Sequence, residues 1–339
     1  MSPAARVPGR HDVVSGPELR PRKLVIQIPC LDEAATLPAT LRDLPREVPG
    51  FDTVEWLVVD DGSTDGTAEV AVANGVDHVV RHPANRGLAA AFLTGIDAAL
   101  QLGADVVVNT DADNQYAAAC IADLVAPIVD GSADLVVGER PIESISSFSP
   151  LKKRLQRLGS MVVRWASGTS VRDAASGFRA FSRETALRVQ VLGRYSYTME
   201  TLVQAGWQGL VVVGVPVRVN APTRESRLVR STAQYLRRSA TTIVRSFVLY
   251  KPLRFFLVLA VVPAVAAAVL ALRWVYLTGF TDDPAGRVPS LVAAAVCALV
   301  AALLVVVGLL ADLLSANRRT LGDVRTMLRR AEFGRGEQR

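Results

Sequence analysis

The chain has 339 residues, 50% of them hydrophobic, a formal net charge of +6 and three cysteines. That length holds one large core or two smaller domains. Cys30, Cys120 and Cys297 have no metal-ligand spacing, and their odd number argues against a disulfide framework. The basic balance invites a nucleic-acid partner, but no zinc spacing or RNA-binding signature accompanies it. Lys and Arg gather instead beside two long apolar runs, where anionic headgroups attract them, so an anionic membrane surface is the expected partner and nucleic acid is not.

Residues 1–22, with several Pro, Gly and Arg, read as a disordered arm, and no apolar stretch before Leu24 suggests a signal peptide. Residues 23–227 read as one domain that begins as an α/β alternation. Leu24 to Ile28 predicts a strand, Ala34 to Leu44 its helix, and Val54 to Val59 a second strand. His78 to Arg81 is a short strand, and a helix starts near Arg86 and runs toward Leu100. Asp105 to Asn109 and Asp134 to Arg140 complete the strands expected from the pattern. No G-x-G-x-x-G follows the first strand and no P-loop is present, so a dinucleotide site is unsupported. His11, His78 and His82 form no recognisable cluster.

Three of these strands end in acid: Pro29-Cys30-Leu31-Asp32-Glu33, Val59-Asp60-Asp61-Gly62-Ser63 and Asp111-Ala112-Asp113-Asn114-Gln115. Open α/β sheets bind ligands at the carboxyl ends of their strands. If the third end stays extended, Asp111 and Asp113 point to the same side. Such a pair can hold a hard divalent cation when phosphates and water complete the shell. The alternative is a polar turn that caps the next helix. Carboxylates near a diphosphate repel it without a metal, which places the cation at Asp113 and a nucleoside near Glu33 and Asp61. Turn and capping work is the other reading of Asp60 and Asp65.

From Leu151 the pattern changes. Leu151 to Trp165 and Leu228 to Tyr250 mix basic and apolar residues at helical spacing, the sign of interfacial amphipathic helices. The second of these lies in an interfacial segment, residues 228–254. Residues 255–314 carry the two uncharged runs, Phe255 to Leu272 and Leu291 to Leu310, each about 27–30 Å as a helix and long enough to cross a bilayer. Residues 315–339 read as a basic tail. Lys251 and Arg254 precede the first run, and Arg318, Arg319, Arg325, Arg329 and Arg330 follow the second. Positive flanks stay inside, so the expectation is a multi-pass protein of the cytoplasmic membrane with its catalytic domain in the cytoplasm. Self-association through the hairpin is a further expectation.

The strings Ile-Pro-Cys-Leu-Asp-Glu (28–33), Val-Val-Asp-Asp-Gly-Ser-Thr-Asp-Gly-Thr (58–67), Asp-Ala-Asp-Asn-Gln (111–115) and Val-Gly-Glu-Arg (137–140) resemble family 2 glycosyltransferases with the GT-A fold. With Ser176-Gly177-Phe178-Arg179-Ala180-Phe181 and the hairpin, the chain is most similar to polyprenyl-phosphate (dolichyl-phosphate type) monosaccharide transferases, from about Leu24 to Leu314. The resemblance implies a Rossmann-like mixed sheet with helices on both faces, plus interfacial and transmembrane helices. It implies nucleotide contacts from Pro29, Leu31, Glu33, Val59 and Asp61, and a metal and diphosphate site at Asp111, Ala112, Asp113 and Gln115, with Mg2+ or Mn2+ as cofactor. Arg140 lies near the phosphates or sugar. A basic phosphate-binding segment corresponds to Pro222-Thr223-Arg224-Glu225-Ser226-Arg227. There Arg227 takes the usual Lys place, Arg224 the usual Gly place, and Ala221 replaces an Arg. Leu31 replaces a common Tyr.

The implied activity is inverting transfer of one hexose from a UDP- or GDP-sugar to a polyprenyl phosphate. Asp113, Arg140, Arg179, Arg224 and Arg227 are the catalytic candidates, and Asp173 and Glu200 are candidates for sugar hydroxyl contacts. Three other readings compete, one of them a sugar nucleotidyltransferase, which would share metal-bound phosphates but has no need of a membrane hairpin. A processive polysaccharide synthase usually carries Gln-x-x-Arg-Trp, whereas Met161 to Trp165 has Met in the Gln place. A catalytically silent assembly partner would leave its acidic residues repelling one another without a metal.

Overall fold

The computed structural model describes residues 22–141, 160–161, 163–164, 167–191, 197–220, 252–280 and 287–334. Both expected amphipathic segments fall almost wholly outside these residues, as do Arg224 and Arg227. Strands β1 (Lys23–Cys30), β2 (Thr53–Asp60), β3 (His78–Arg81), β4 (Val106–Asn109), β5 (Leu135–Glu139), β6 (Arg179–Ser182) and β7 (Val212–Pro216) form one sheet in the order β3-β2-β1-β4-β6-β5-β7. β1 pairs in parallel with both β2 and β4, and β6 runs antiparallel between β4 and β5. The sheet is therefore mixed, as the resemblance implied. β6 and β7 did not emerge from the apolar pattern: β6 is four residues long, and β7 is only half-buried.

Alternation along β1 explains the layers. Leu24, Ile26, Ile28 and Cys30 face one side, against Leu37 and Leu41 of α1 (Leu37–Asp43) and Ile121 and Leu124 of α4 (Ile121–Val129). Val25 faces the other side with Phe92 and Ile96 of α3 (Leu88–Gln101). Each such fully buried aliphatic or aromatic side chain contributes about 1.5–3 kcal/mol. α2 (Thr67–Ala73), α5 (Arg183–Arg188) and α6 (Thr198–Trp207) complete the domain. Pro38 stands in the first turn of α1, where its missing N–H costs nothing. The Ser182 side chain accepts from Thr185 N and caps α5.

The chain leaves β1 for β2 on one side and returns to β4 on the other, so the strand order reverses between β1 and β4. In open α/β sheets such a switch point is where a ligand crevice forms, at the carboxyl ends of those two strands. The acidic strings after β1 and β4 line it.

Two helices follow: α7 (Pro252–Gly279) and α8 (Arg287–Gly334), with apolar windows of mean hydropathy 2.8 and 3.0. Both are long and apolar enough to cross a membrane, and their apolar windows are only 11% buried. Val258, Val262 and Leu272 are each about 70% exposed in the absence of lipid. α8 does not end where its apolar run does. Residues 315–334, read from sequence as a basic tail, continue the helix and dock on the catalytic domain, with Phe333 buried in the same core as Phe92.

Candidate active site

β4 ends at Asn109, and Ala112 and Asp113 lie in a turn rather than in an extended end. The two carboxylates therefore meet through a turn, not through the i, i+2 geometry of a strand. Asn114 takes a left-handed conformation, φ +52°, one of two such non-glycine residues among those described. Gln115 N donates to Asp113 Oδ1 at 3.1 Å, and Thr40 Oγ1 donates to Ala112 O at 2.8 Å. The segment after β7 braces this loop: Asn220 N donates to Gln115 O at 2.8 Å and Asn220 Nδ2 to Asn114 O at 2.9 Å.

Asp111 is half-buried. Burial raises its carboxyl from 3.8 to about 7, neighbouring Asp113 pushes the same way, and Arg140 works against both. Gly177 closes over it. A Cβ at that position would lie 3.1 and 3.3 Å from the Asp111 oxygens and 3.0 Å from Tyr197 Oη. The Ser176–Phe178 loop is fixed by a buried chain of hydrogen bonds. Gln27 Nε2 donates to Asn109 Oδ1 (2.8 Å), while Asn109 Nδ2 donates to Gly177 O (2.9 Å) and Tyr197 Oη (2.8 Å). Gly177 N donates to Tyr116 Oη at 3.1 Å. Tyr197 stacks on Phe92 at 3.9 Å and 4°. Asn109, Tyr116 and Tyr197 were not singled out from sequence. The available signal was a lone amide, Asn109, ending an otherwise apolar β4.

Arg140 makes a bidentate pair with Asp173, Nε to Oδ2 at 2.6 Å and Nη2 to Oδ1 at 3.1 Å. Asp173, expected as a sugar-hydroxyl contact, is fully buried in this structure and holds Arg140 beside Asp111.

At the other lip, Pro29 and Leu31 are half-buried and Glu33 is nearly buried. Thr36 Oγ1 donates to Glu33 Oε2 at 2.5 Å. Asp32 is also left-handed, φ +50°, and accepts from Thr64 N at 2.9 Å. Asp65 accepts from Thr67 N, Thr67 Oγ1 and Ala34 N, and Asp60 Oδ1 accepts from Ser63 N, which is turn and capping work.

Four residues expected at ligands are engaged within the protein in this structure. Asp61 is 3% exposed and both its oxygens are engaged: Oδ1 with His82 Nδ1 (2.7 Å) and Arg86 N (2.9 Å), Oδ2 with Gly87 N (2.8 Å). It organises the 82–87 loop, and His82, given no role from sequence, is its buried partner. The Val59 side chain is fully buried against α3, and its backbone belongs to the ladder between β1 and β3. The Ala112 side chain lies in the core beneath the turn. Arg179 is fully buried and donates to Ser176 O, Ala174 O and Thr201 Oγ1, so it ties β6 to α6 rather than clamping a phosphate. Burial lowers its pKa to about 10. Glu200, also buried, does not face open solvent.

Among the described residues no three His, Cys, Asp or Glu side chains assemble around one point, so no closed all-protein metal cage is present. Asp111 and Asp113 supply hard oxygen donors on one turn, and the Asp113 charge disfavours ionisation of Asp111. That donor set suits Mg2+ or Mn2+, which keep positions for phosphate and water.

The glycosyl transferase family 2 model matches residues 25–188. The polyprenol monophosphomannose synthase of Mycolicibacterium smegmatis is 32% identical over 227 residues, 62% of this chain and 84% of that protein. A Methanococcus voltae UDP-N-acetylglucosamine–dolichyl-phosphate N-acetylglucosaminyltransferase is 32% identical over 214 residues, 56% of this chain and 83% of that one. Among solved structures, glucosyl-3-phosphoglycerate synthase from Mycobacterium tuberculosis, in complex with Mn2+, UDP and phosphoglyceric acid, superposes with a TM-score of 0.52 at 21% identity, covering 67% of this chain and 77% of that one. Its likeness concerns the fold. A GT-A sheet with acidic strings at its switch point, followed by two membrane-length helices and matched by relatives across most of their length, places this chain in the family 2 glycosyltransferases.

Proposed function

We propose that this chain transfers one hexose from a UDP- or GDP-sugar to a polyprenyl phosphate at the cytoplasmic face of a membrane. The observation that carries the reading is the Asp111–Asp113 pair in the switch-point crevice, under Gly177 and beside Arg140, in a chain that also holds two membrane-length helices. The names of the two relatives support a polyprenyl-type acceptor, and they differ in the sugar, so the donor stays within nucleotide sugars as a class. The Mn2+ and UDP named for the M. tuberculosis structure support a divalent ion with a nucleoside diphosphate.

Pro29, Leu31 and Glu33 line the lip for the nucleoside, with the 82–87 loop held beside them by Asp61. Asp111 and Asp113, with Gln115 on the same turn, would hold the cation. A divalent ion bound there would neutralise charge developing on the departing diphosphate. Arg140, fixed by Asp173, presents a positive charge at the same place. Arg224 and Arg227 follow Asn220 by four and seven residues, so an extended chain carries them at most about 13–25 Å from the metal loop. That reach allows them to meet phosphate oxygens bidentately.

The acceptor needs little activation. A phosphate monoester with a second pKa near 6 is mostly dianionic at about pH 7. The protein supplies alignment and leaving-group stabilisation, and attack opposite the leaving group inverts the anomeric centre.

The test is a donor panel of labelled UDP- and GDP-sugars with purified full-length protein, a short-chain polyprenyl phosphate, and Mg2+ or Mn2+. One donor should give a lipid-linked monosaccharide, lost in EDTA and lost in Asp113→Ala. Full transfer after exhaustive metal removal, or undiminished transfer by Asp113→Ala, overturns the reading.

A further inference from the structure

The end of α8 is bound to the catalytic domain by buried and ionic contacts. Arg329 is 6% exposed and its Nη1 donates to Leu187 O (2.8 Å), Ala186 O (3.1 Å) and Val189 O (3.4 Å). These are carbonyls at the end of α5, which lack partners within the helix. Its other terminal nitrogen pairs with Asp97 of α3, and Arg330 pairs with Glu184. Phe333 is buried behind them.

The contacts also fix a direction. β6 runs from Arg179, opposite Asn109, to Ser182, opposite Val106, and so away from the Asp111 edge of the sheet. α5 starts at that remote edge, where Arg183 N donates to Asp105 O at 2.8 Å, and the chain after it reaches Gln190, whose N donates to Gln204 Oε1 at 2.9 Å, about one turn along α6 from Thr201, the partner of Arg179 opposite Asn109. On α8, Phe333 O accepts from Arg183 Nη2 at 3.2 Å, whereas Gly322 O accepts from Gln190 Nε2 at 3.3 Å. Over those eleven residues, about 16 Å of helix, α8 passes from the remote edge toward the catalytic edge as it nears its apolar part. In a membrane crossed by the apolar part of α8, that direction would turn the carboxyl edge of the sheet, with Asp111 and Asp113, toward the bilayer.

Resting on the acceptor assigned above, we propose that the docked end of α8 is a stalk that sets the height and orientation of the active site over the membrane, with Arg329 as its positioning residue. About 30 Å of helix separates Leu314 from Gly334. Arg329 touches neither donor nor acceptor and acts by holding α5 and α3 against that rod.

The experiment uses full-length protein in phosphatidylcholine–phosphatidylglycerol vesicles with Cys297→Ala, because Cys30 and Cys120 are buried. Spin labels go on Val72→Cys and Leu321→Cys, both exposed. The parent should give one narrow distance, and Arg329→Met a broad distribution. Transfer to vesicle-embedded polyprenyl phosphate should fall about tenfold or more, since small misplacements cost that much. Nucleotide affinity should stay unchanged, and Arg329→Lys should recover part of the transfer. Arg330→Glu, an exposed change, supplies a second variant if Arg329→Met does not fold. A distance that stays narrow in both variants overturns the stalk, and a broadened distance with undiminished transfer overturns its positioning role. If the parent transfers to no polyprenyl phosphate, the acceptor assignment falls, and the distance measurement alone decides the stalk.

Discussion

Gly177 and Asp111 are separated by just the space that a side chain would fill: a methyl group at 177 would stand 3.1 Å from one carboxylate oxygen and 3.3 Å from the other. The backbone of one loop thus forms the roof over the acid of another. Gly177→Ala should displace Asp111 or lift the 176–178 loop, because Asn109 and Tyr116 hold that loop from below. Overpacking of this kind costs about 1–3 kcal/mol. Transfer should fall at least about tenfold, since sub-ångström shifts of reacting groups are that costly. Thermal denaturation with a Mn2+ titration checks it: a folded variant with parental Mn2+ affinity and turnover would show that the roof is not part of the site.

Proton and metal should compete at Asp111. Its carboxyl, raised to about 7 by burial and by Asp113, must lose its proton to ligate. Apparent Mn2+ affinity should therefore drop as pH falls below 7, by roughly tenfold per unit. The sign for stability is the reverse. The folded state keeps this proton at pH values where the unfolded chain has lost it, so the metal-free protein gains stability below the ordinary value of 3.8 and loses that gain as pH rises through about 7. Melting of metal-free protein at pH 5 and pH 8 should show this loss, with Mn2+ restoring stability at pH 8. In Asp111→Asn the difference should shrink.

Asp61 separates two roles that the strand-end motif leaves merged. As a partner of His82, Arg86 N and Gly87 N, it should act on nucleotide through the loop rather than by contact. Asp61→Ala strips three bonds from a buried site and should cost about 3 kcal/mol of stability, with weaker nucleotide binding as the loop loosens. Urea denaturation and nucleotide titration on the same variant decide the matter. Weakened binding at parental stability would return Asp61 to direct contact with the nucleoside.

Legibility from sequence followed local chemistry. β1, β2 and β4 are runs of Val, Leu and Ile that alternate between two buried faces, and apolar periodicity reports such strands directly. The acidic strings lay at their ends, and the switch point made those ends one crevice. β6 was not legible by that route, because it begins with Arg179, whose charge suggests surface until Ser176 O, Ala174 O and Thr201 Oγ1 are seen to enclose it. His82 was missed for a similar reason: its partner stands 21 residues earlier, and no spacing rule links them. The docking of residues 315–334 was hidden by composition, since an Arg-rich tail after an apolar run reads as solvated headgroup chemistry, whereas Arg329 enters the domain.

Arg227 tests how the chemistry divides between donor and acceptor. The segment that carries it leaves the metal loop at Asn220, whose amide donates to Gln115 O, and leads toward the apolar hairpin. On the proposed function, a cation between Asn220 and the hairpin should meet a lipid phosphate as it emerges from the headgroup layer, while the nucleoside lip would be formed at the end of β1. Arg227→Ala should remove a charge-assisted contact of about 1.5–3 kcal/mol, roughly a ten- to hundredfold loss, and chiefly raise KM for polyprenyl phosphate. Arg227→Lys should recover part of it, because the charge survives while the planar fork is lost. Steady-state kinetics with each substrate varied in turn gives the answer. If acceptor kinetics stay parental and only nucleotide affinity falls, the segment clamps the donor diphosphate, and Arg140, already oriented by Asp173 beside Asp111, becomes the group that meets the incoming lipid phosphate.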